Sequence, residues 1–164
     1  MTANALACAL WTTKRIHHDR GSVRGMTFQP TNPIRSQADL HDAWCELMGP
    51  FGFSEQSIWM LRIGPDRRPI PQIVKIAEAD DVPTHPEGHG FPEVLRMLDE
   101  GEPGHTFAFL RSRPGRGVTA ADRAWAAFLY AAGRVAGVAV EVVHLATNEE
   151  LVPLPLDELG RRTA

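Results

Sequence analysis

The feature that most constrains the fold is a long helix pattern that lies between two strand patterns. In residues 120–136 apolar side chains recur at helical spacing, Thr119 is a suitable N-cap, and Gly137 is a typical helix-ending residue. Strand-forming residues dominate the segments on either side, 106–110 and 138–145. An amphipathic helix between two strands buries its apolar stripe against a sheet, so we expect a layered fold.

The remaining patterns extend this arrangement to one domain. Two strand patterns flank a Gly-Pro-Asp turn and predict an antiparallel hairpin. Ser36 caps another helix pattern, and Asp39 three residues later gives a variant of the capping box. We therefore predict an α/β fold of the layered α+β kind, with the element order α-β-β-α-β-α-β-β. The further elements are helices at 37–48 and 91–100, strands at 58–63, 70–76 and 151–154, and loops at 80–90 and 111–117.

Composition restricts the class of protein further. The chain has 164 residues, of which 43% are hydrophobic and 23% charged, and its formal net charge is -3. This length fits a single domain with a buried core, and the composition argues against disorder, a transmembrane helix and a general attraction to DNA. Two cysteines, Cys8 and Cys45, are too few for a disulfide scaffold and suit a reducing compartment. We therefore expect a cytoplasmic protein without a membrane partner.

The first 26 residues differ in composition from the rest of the chain. Four basic residues stand there against one acidic residue, and an apolar run at 5–11 precedes them. A secretory signal has the opposite order, with the basic residues first. We therefore predict that residues 1–26 form a flexible extension, that residues 27–157 form the domain, and that residues 158–164 form a tail.

Three arginines make the segment before the long helix strongly basic. Arg111, Arg113 and Arg116 precede Thr119, whose position at a helix N-terminus leaves backbone N–H groups free to bind an anion. One interpretation is an anion-binding site formed by these four residues, for a phosphate, a carboxylate or a nucleic-acid backbone. The other interpretation is a solvated loop in which the arginines pair with acidic residues elsewhere in the chain.

Residues 107–154 resemble the JAB/MPN domain family, most closely its bacterial RadC-like branch. In that family a strand ends in His-x-His-Pro, and a Ser/Thr-x-x-Asp motif opens the next helix. The two histidines and the aspartate bind a catalytic zinc ion. In this chain the corresponding residues are Arg111-Ser-Arg113-Pro and Thr119-Ala-Ala-Asp122, with a shorter loop between the two motifs.

This resemblance covers roughly residues 38–156 and implies a mixed sheet flanked by helices. Glu55 precedes a strand near the position of the family's catalytic glutamate. Arginine, however, replaces both histidine ligands, and a guanidinium group has no lone pair with which to bind zinc. The resemblance thus implies that the zinc site is lost and that Asp122 pairs with an arginine instead. It predicts a pseudoenzyme without a metal cofactor, which acts as a binding or scaffold protein for another protein or an anionic ligand.

Two alternatives remain open. The chain is a metal-dependent hydrolase or peptidase if relocated ligands hold zinc, and four histidines are the candidates for that role: His85, His89, His105 and His144. It is a DNA-associated protein, in line with the reputed role of the RadC-like branch in DNA repair, if the basic loop binds the phosphate backbone.

Overall fold

The computed structural model describes residues 32–77 and 79–160. The predicted extension, residues 1–26, lies outside these ranges, and so do residues 161–164 of the predicted tail. The described residues form helices and strands in the predicted order. The helices are α1 (Gln37–Met48), α2 (Gly90–Gly101) and α3 (Ala120–Ala136). The strands are β1 (Ser57–Ile63), β2 (Pro69–Ile76), β3 (Thr106–Ser112), β4 (Ala139–Val140), β5 (Val143–Ala146) and β6 (Leu151–Leu154). Short 3₁₀ helices cover Pro86–Gly88 and Leu156–Glu158.

The strands form one mixed sheet. Its order is β2-β1-β3-β5-β6, and β4 pairs with the beginning of β3. β1 and β2 form the predicted antiparallel hairpin, and β1 is also antiparallel to β3. α3 returns the chain to the end of the sheet at which β3 begins, so β5 runs parallel to β3. β6 is antiparallel to β5. The predicted class, layered α/β with a mixed sheet and flanking helices, is confirmed.

The two faces of the sheet are covered by different helices. In β3, Phe107 and Phe109 belong to the core under α2 and α3, whereas Ala108 and Leu110 belong to the core under α1. This alternation follows from the two-residue period of a strand. The faces are named the α2/α3 face and the α1 face below.

Local capping sets the ends of α1 and α3. Ser36 accepts a hydrogen bond from the Asp39 backbone N–H, and the Asp39 carboxylate accepts one from the Ser36 backbone in return. Thr119 and Asp122 form the same reciprocal capping box at the start of α3. Gly137 ends α3 in the left-handed conformation, with φ of 74°. The predicted bounds 37–48 and 120–136 are confirmed.

The strand predicted at 138–145 is interrupted. Val140 pairs with Phe107, but His144 pairs with Leu110, so the register against β3 shifts by one residue between the two pairs. Glu141 lies in the break, where its backbone N–H donates to the Phe107 carbonyl. The prediction of one continuous strand was wrong because the extra residue is accommodated as an irregularity between β4 and β5.

The sheet ends at short or proline-bearing strands. In the described residues, β2 and β6 are the outer strands, and both contain proline: Pro69 and Pro71 in β2, and Pro153 in β6. Of the helices in the described residues, none combines the length and the apolar character that crossing a membrane requires.

Candidate functional site

The basic segment begins within the last residues of β3. β3 extends to Ser112, so the predicted loop at 111–117 begins only after that residue. Arg111 pairs with Ile58 on one side and Leu145 on the other, and these neighbours continue the strand ladder through it. Two residues beyond Phe109, its side chain lies on the α2/α3 face with only 1% of its surface exposed. The guanidinium carbon lies 5.8 Å from the centre of the Trp125 ring.

Asp122, at the start of α3, lies between the two guanidinium groups. Arg111 Nε and Arg113 Nε both donate to Asp122 Oδ1, at 2.9 and 2.8 Å. Arg113 Nη2 and the Thr119 backbone N–H both donate to Asp122 Oδ2, at 2.6 and 2.8 Å. Asp122 is completely buried, and the pair of bonds from Arg113 is bidentate. We name Arg111, Arg113 and Asp122 the arginine–aspartate cluster.

These bonds determine the charge state of Asp122. Burial alone raises the pKa of a carboxyl group. Hydrogen bonds from Arg113, from Thr119 and from Arg111 act in the opposite direction and bring the pKa of Asp122 down to about 2. The hydrogen bond to Asp122 likewise raises the pKa of Arg113 above its ordinary value. The carboxylate is therefore ionised and fully hydrogen-bonded at neutral pH, which makes it a poor general base.

The other guanidinium donors also bond within the protein. Arg111 Nη1 donates to the Ala79 carbonyl at 2.8 Å, and Arg111 Nη2 donates to the side-chain oxygen of Gln56. Arg113 Nη1 donates to the Pro114 carbonyl at 2.9 Å, and Arg113 Nη2 donates to the Gly117 carbonyl at 2.5 Å. Every nitrogen of the two guanidinium groups therefore has at least one acceptor within the protein, and both side chains are buried.

The remaining residues of the predicted anion site lie at the surface. The Arg116 guanidinium is 81% exposed and lies 3.8 Å from the Glu149 carboxylate. Thr119 is exposed and caps α3 with its hydroxyl. The structure therefore separates the four predicted residues into two buried arginines and two exposed groups, of which only Arg116 presents a charge to solvent.

Glu55 lies outside the cluster, where its carboxylate bonds to the Lys75 ammonium group. The next residue, Gln56, provides the side chain that reaches Arg111, and its amide nitrogen donates to Asp80 at 2.8 Å. Sequence reasoning missed Gln56 because a single neutral amide carries no motif. The only indication in the sequence was that Gln56 directly follows the candidate residue Glu55.

The four candidate histidine ligands lie apart from one another. His144 is completely buried on the α1 face, 6.1 Å from His41 between ring centres. His89 caps α2 on the opposite face, where its ring packs edge-on against Phe128. His105 contacts the Glu102 backbone carbonyl, and His85 is exposed. Within residues 32–77 and 79–160, no three His, Cys, Asp or Glu side chains are grouped so that they would hold a metal ion.

Burial has a strong effect on His144. Its Nδ1 lies 2.9 Å from the Val142 carbonyl and donates to it, because a carbonyl oxygen only accepts. Burial and, to a lesser degree, the neighbouring His41 lower the pKa of His144 to about 4. The imidazole is therefore neutral at pH 7.

A cavity of about 170 Å³ adjoins the arginine–aspartate cluster on the α2/α3 face. Ala79 and Trp125 line this cavity and also contact Arg111, through the Ala79 carbonyl and the Trp125 ring. His89 and Phe128 line another part of it, and Asp81 lies at its exposed rim. The cluster and the cavity together make this face the candidate functional site.

The chain matches no protein-family model and no curated protein.

Proposed function

We propose that the chain is a catalytically degenerate JAB/MPN domain of the RadC-like kind that acts as a non-enzymatic binding or scaffold protein. The observation that carries this proposal is the bonding of Arg111 and Arg113 to the same carboxylate, that of Asp122. These three residues match the three zinc-ligand positions of the family that the sequence resembles.

The convergence of these positions supports the resemblance. In a zinc site of this type, two imidazoles and a carboxylate approach one cation. Here the three side chains also meet at one buried point, but the guanidinium groups themselves supply the positive charge that the carboxylate requires. The positive charge on Arg111 and Arg113 would also repel a metal ion at this point.

The chemistry of the cluster argues against metal-dependent hydrolysis. Guanidinium groups have no lone pair for a metal, so they cannot generate a metal-activated water. Asp122 is already saturated by four donors, and Glu55 bonds to Lys75 instead of facing the cluster. We therefore assign Arg111, Arg113 and Asp122 a structural role, in which they hold the start of α3 against the end of β3.

The proposal is tested by restoring the missing ligands. The double variant Arg111→His/Arg113→His recreates the His-x-His-Pro and Thr-x-x-Asp pattern, and we expect it to bind one zinc ion per chain. The wild-type chain and the single variant Arg111→His should bind none, because Arg113 still occupies Asp122. Arg116→His is the matched control, since it adds a histidine to the same segment at an exposed position. Zinc is measured by elemental mass spectrometry on protein purified without a histidine tag and supplied with zinc.

The outcomes separate the proposal from its alternative. A tightly bound zinc ion on the wild-type chain would overturn the pseudoenzyme and favour a hydrolase with relocated histidine ligands. A folded double variant that takes up no more zinc than Arg116→His would overturn the JAB/MPN resemblance. Circular dichroism of each variant establishes that it is folded.

A further inference from the structure

The volume and lining of the cavity on the α2/α3 face limit what it can hold. An apolar cavity of about 150 Å³ is large enough to bind benzene, and this one measures about 170 Å³. Apart from Asp81 and His89, the residues that line it are apolar, and three of these are aromatic: Phe91, Trp125 and Phe128. A ligand with a single apolar ring therefore matches both the volume and the lining.

The aromatic side chains of the lining pack at steep angles to one another. The Trp125 and Phe128 ring centres are 5.8 Å apart with the ring planes at 88°, and those of His89 and Phe128 are 5.4 Å apart with the planes at 81°. In this edge-to-face packing, the positive edge of one ring lies against the negative face of another. An aromatic ligand extends this arrangement, whereas an aliphatic ring of the same size only fills the volume.

The charges near the cavity differ between its buried and its exposed side. Arg111 is buried and contacts two lining residues, through the Ala79 carbonyl and the Trp125 ring, but it does not itself line the cavity. Asp81 lines the cavity and is exposed, and its carboxylate has no hydrogen-bond or ion-pair partner among the described residues. The buried side therefore carries positive charge and the rim carries an unpaired negative charge, which favours a ligand with a cation at the rim.

We propose that the cavity binds a small aromatic amine, with the ring between the aromatic side chains and the ammonium group beside the Asp81 carboxylate. The ammonium group stays at the rim because its burial without a partner would cost free energy. This proposal deepens the proposed function, since it names the ligand class of the binding domain. It rests on that function only in that the domain binds a ligand and does not hydrolyse it.

Three probes of similar size separate the ring from the charge. Benzylamine has an aromatic ring and an ammonium group at pH 7, benzyl alcohol keeps the ring without the charge, and cyclohexylmethylamine keeps the charge on an aliphatic ring. Each is titrated into the ¹⁵N-labelled chain and followed by NMR. For ligands of this size we expect dissociation constants on the order of 0.1–10 mM.

The wild-type chain should prefer benzylamine to both other probes. An exposed ion pair contributes little, so we expect benzylamine to bind about two- to fivefold more tightly than benzyl alcohol at low salt. High salt screens the ion pair and should remove most of this preference. Edge-to-face packing should make benzylamine bind about two- to tenfold more tightly than cyclohexylmethylamine, at any salt concentration.

A pair of variants assigns the charge preference to one carboxylate. Asp81→Asn should lower the affinity for benzylamine to that for benzyl alcohol and leave the affinity for benzyl alcohol unchanged. Asp80→Asn is the matched control, because Asp80 is an exposed carboxylate in the adjacent position that does not line the cavity and bonds to Gln56 instead. It should change the preference far less.

Each part of the proposal has its own point of failure. Equal affinities of the wild-type chain for benzylamine and benzyl alcohol, or an unchanged preference in Asp81→Asn, would overturn the role of Asp81. Cyclohexylmethylamine that binds as tightly as benzylamine would overturn the aromatic selectivity. Absence of any shift at cavity residues up to the solubility of the probes would overturn the cavity as a binding site. None of these results changes the zinc content of the Arg111→His/Arg113→His variant, so the two proposals fail separately.

Discussion

Replacement of Asp122 by asparagine removes the negative charge that two buried guanidinium groups share. The side chain keeps its shape, so the Thr119 capping contact and the packing around it change little. Asparagine, however, presents an amide N–H₂ group to Arg111 Nε and Arg113 Nε, where Asp122 Oδ1 accepted their bonds. Arg111 and Arg113 then remain buried without a counter-charge. We expect Asp122→Asn to destabilise the fold strongly.

The size of the loss follows from the burial and the pKa of Asp122. The lowering of its pKa from 3.8 to about 2 means that neutralising the carboxylate costs about 2 kcal/mol more in the folded chain than in the unfolded chain. Removal of one partner from a buried ion pair typically costs about 3–5 kcal/mol, because the remaining charge is uncompensated. We therefore expect a loss of about 3–5 kcal/mol, a large part of the roughly 5–15 kcal/mol that stabilises a domain.

Urea denaturation at pH 7 measures this loss, with Asp39→Asn as the matched control. Asp39 occupies the same capping-box position in α1, but it is only partly buried, and among the described residues backbone N–H groups rather than guanidinium groups donate to its carboxylate. Its replacement should reduce the free energy of unfolding far less than Asp122→Asn does. Equal losses in the two variants would refute the reasoning, because only the helix cap would then matter.

Three further predictions concern the core. Burial holds the pKa of His144 near 4, so below about pH 6.5 the unfolded chain binds a proton that the folded chain does not bind. The free energy of unfolding should therefore decrease as the pH is lowered from 6.5 to 4. Urea midpoints at pH 7 and pH 5 test this, and His144→Gln should make the midpoint depend less on pH. Gly133→Ala should cost about 1–3 kcal/mol in the same assay, because the new Cβ would lie 2.3 Å from Val140 Cγ2, and an added Val140→Ala substitution should recover most of the loss. Tyr130→Phe should cost about 1–3 kcal/mol by thermal or urea unfolding, because the Tyr130 hydroxyl accepts the buried Val143 N–H at 2.9 Å; a loss no larger than that of an exposed substitution would contradict this role.

The parts of the fold that depend on neighbours in the chain were predictable from the sequence. Ser36 with Asp39, and Thr119 with Asp122, are separated by three residues, so their capping boxes form without help from the rest of the structure. The hairpin of β1 and β2 likewise depends on its own turn. The break between β4 and β5 was not predictable, because it arises from the register that β3 imposes and not from the strand's own residues.

The candidate site was likewise predictable from the sequence only in part. The resemblance led us to expect that Asp122 pairs with an arginine, and the structure adds that both Arg111 and Arg113 bond to it. Gln56 comes to this point through the pairing of β1 with β3, which no local pattern encodes, and Ala79, which follows β2, is held beside it by a backbone hydrogen bond to the Gln56 carbonyl. The cavity depends on packing between α2, α3 and the hairpin, so it could not be predicted from the sequence either.

The prolines of the two outer strands limit how this domain can meet other chains. A strand that adds to the edge of a sheet requires a continuous row of backbone donors and acceptors. Pro71 in β2 and Pro153 in β6 each lack the N–H that such a row requires, and β6 is only four residues long. Both outer edges of the described sheet are therefore poor templates for strand addition, which protects the folded chain from edge-to-edge aggregation.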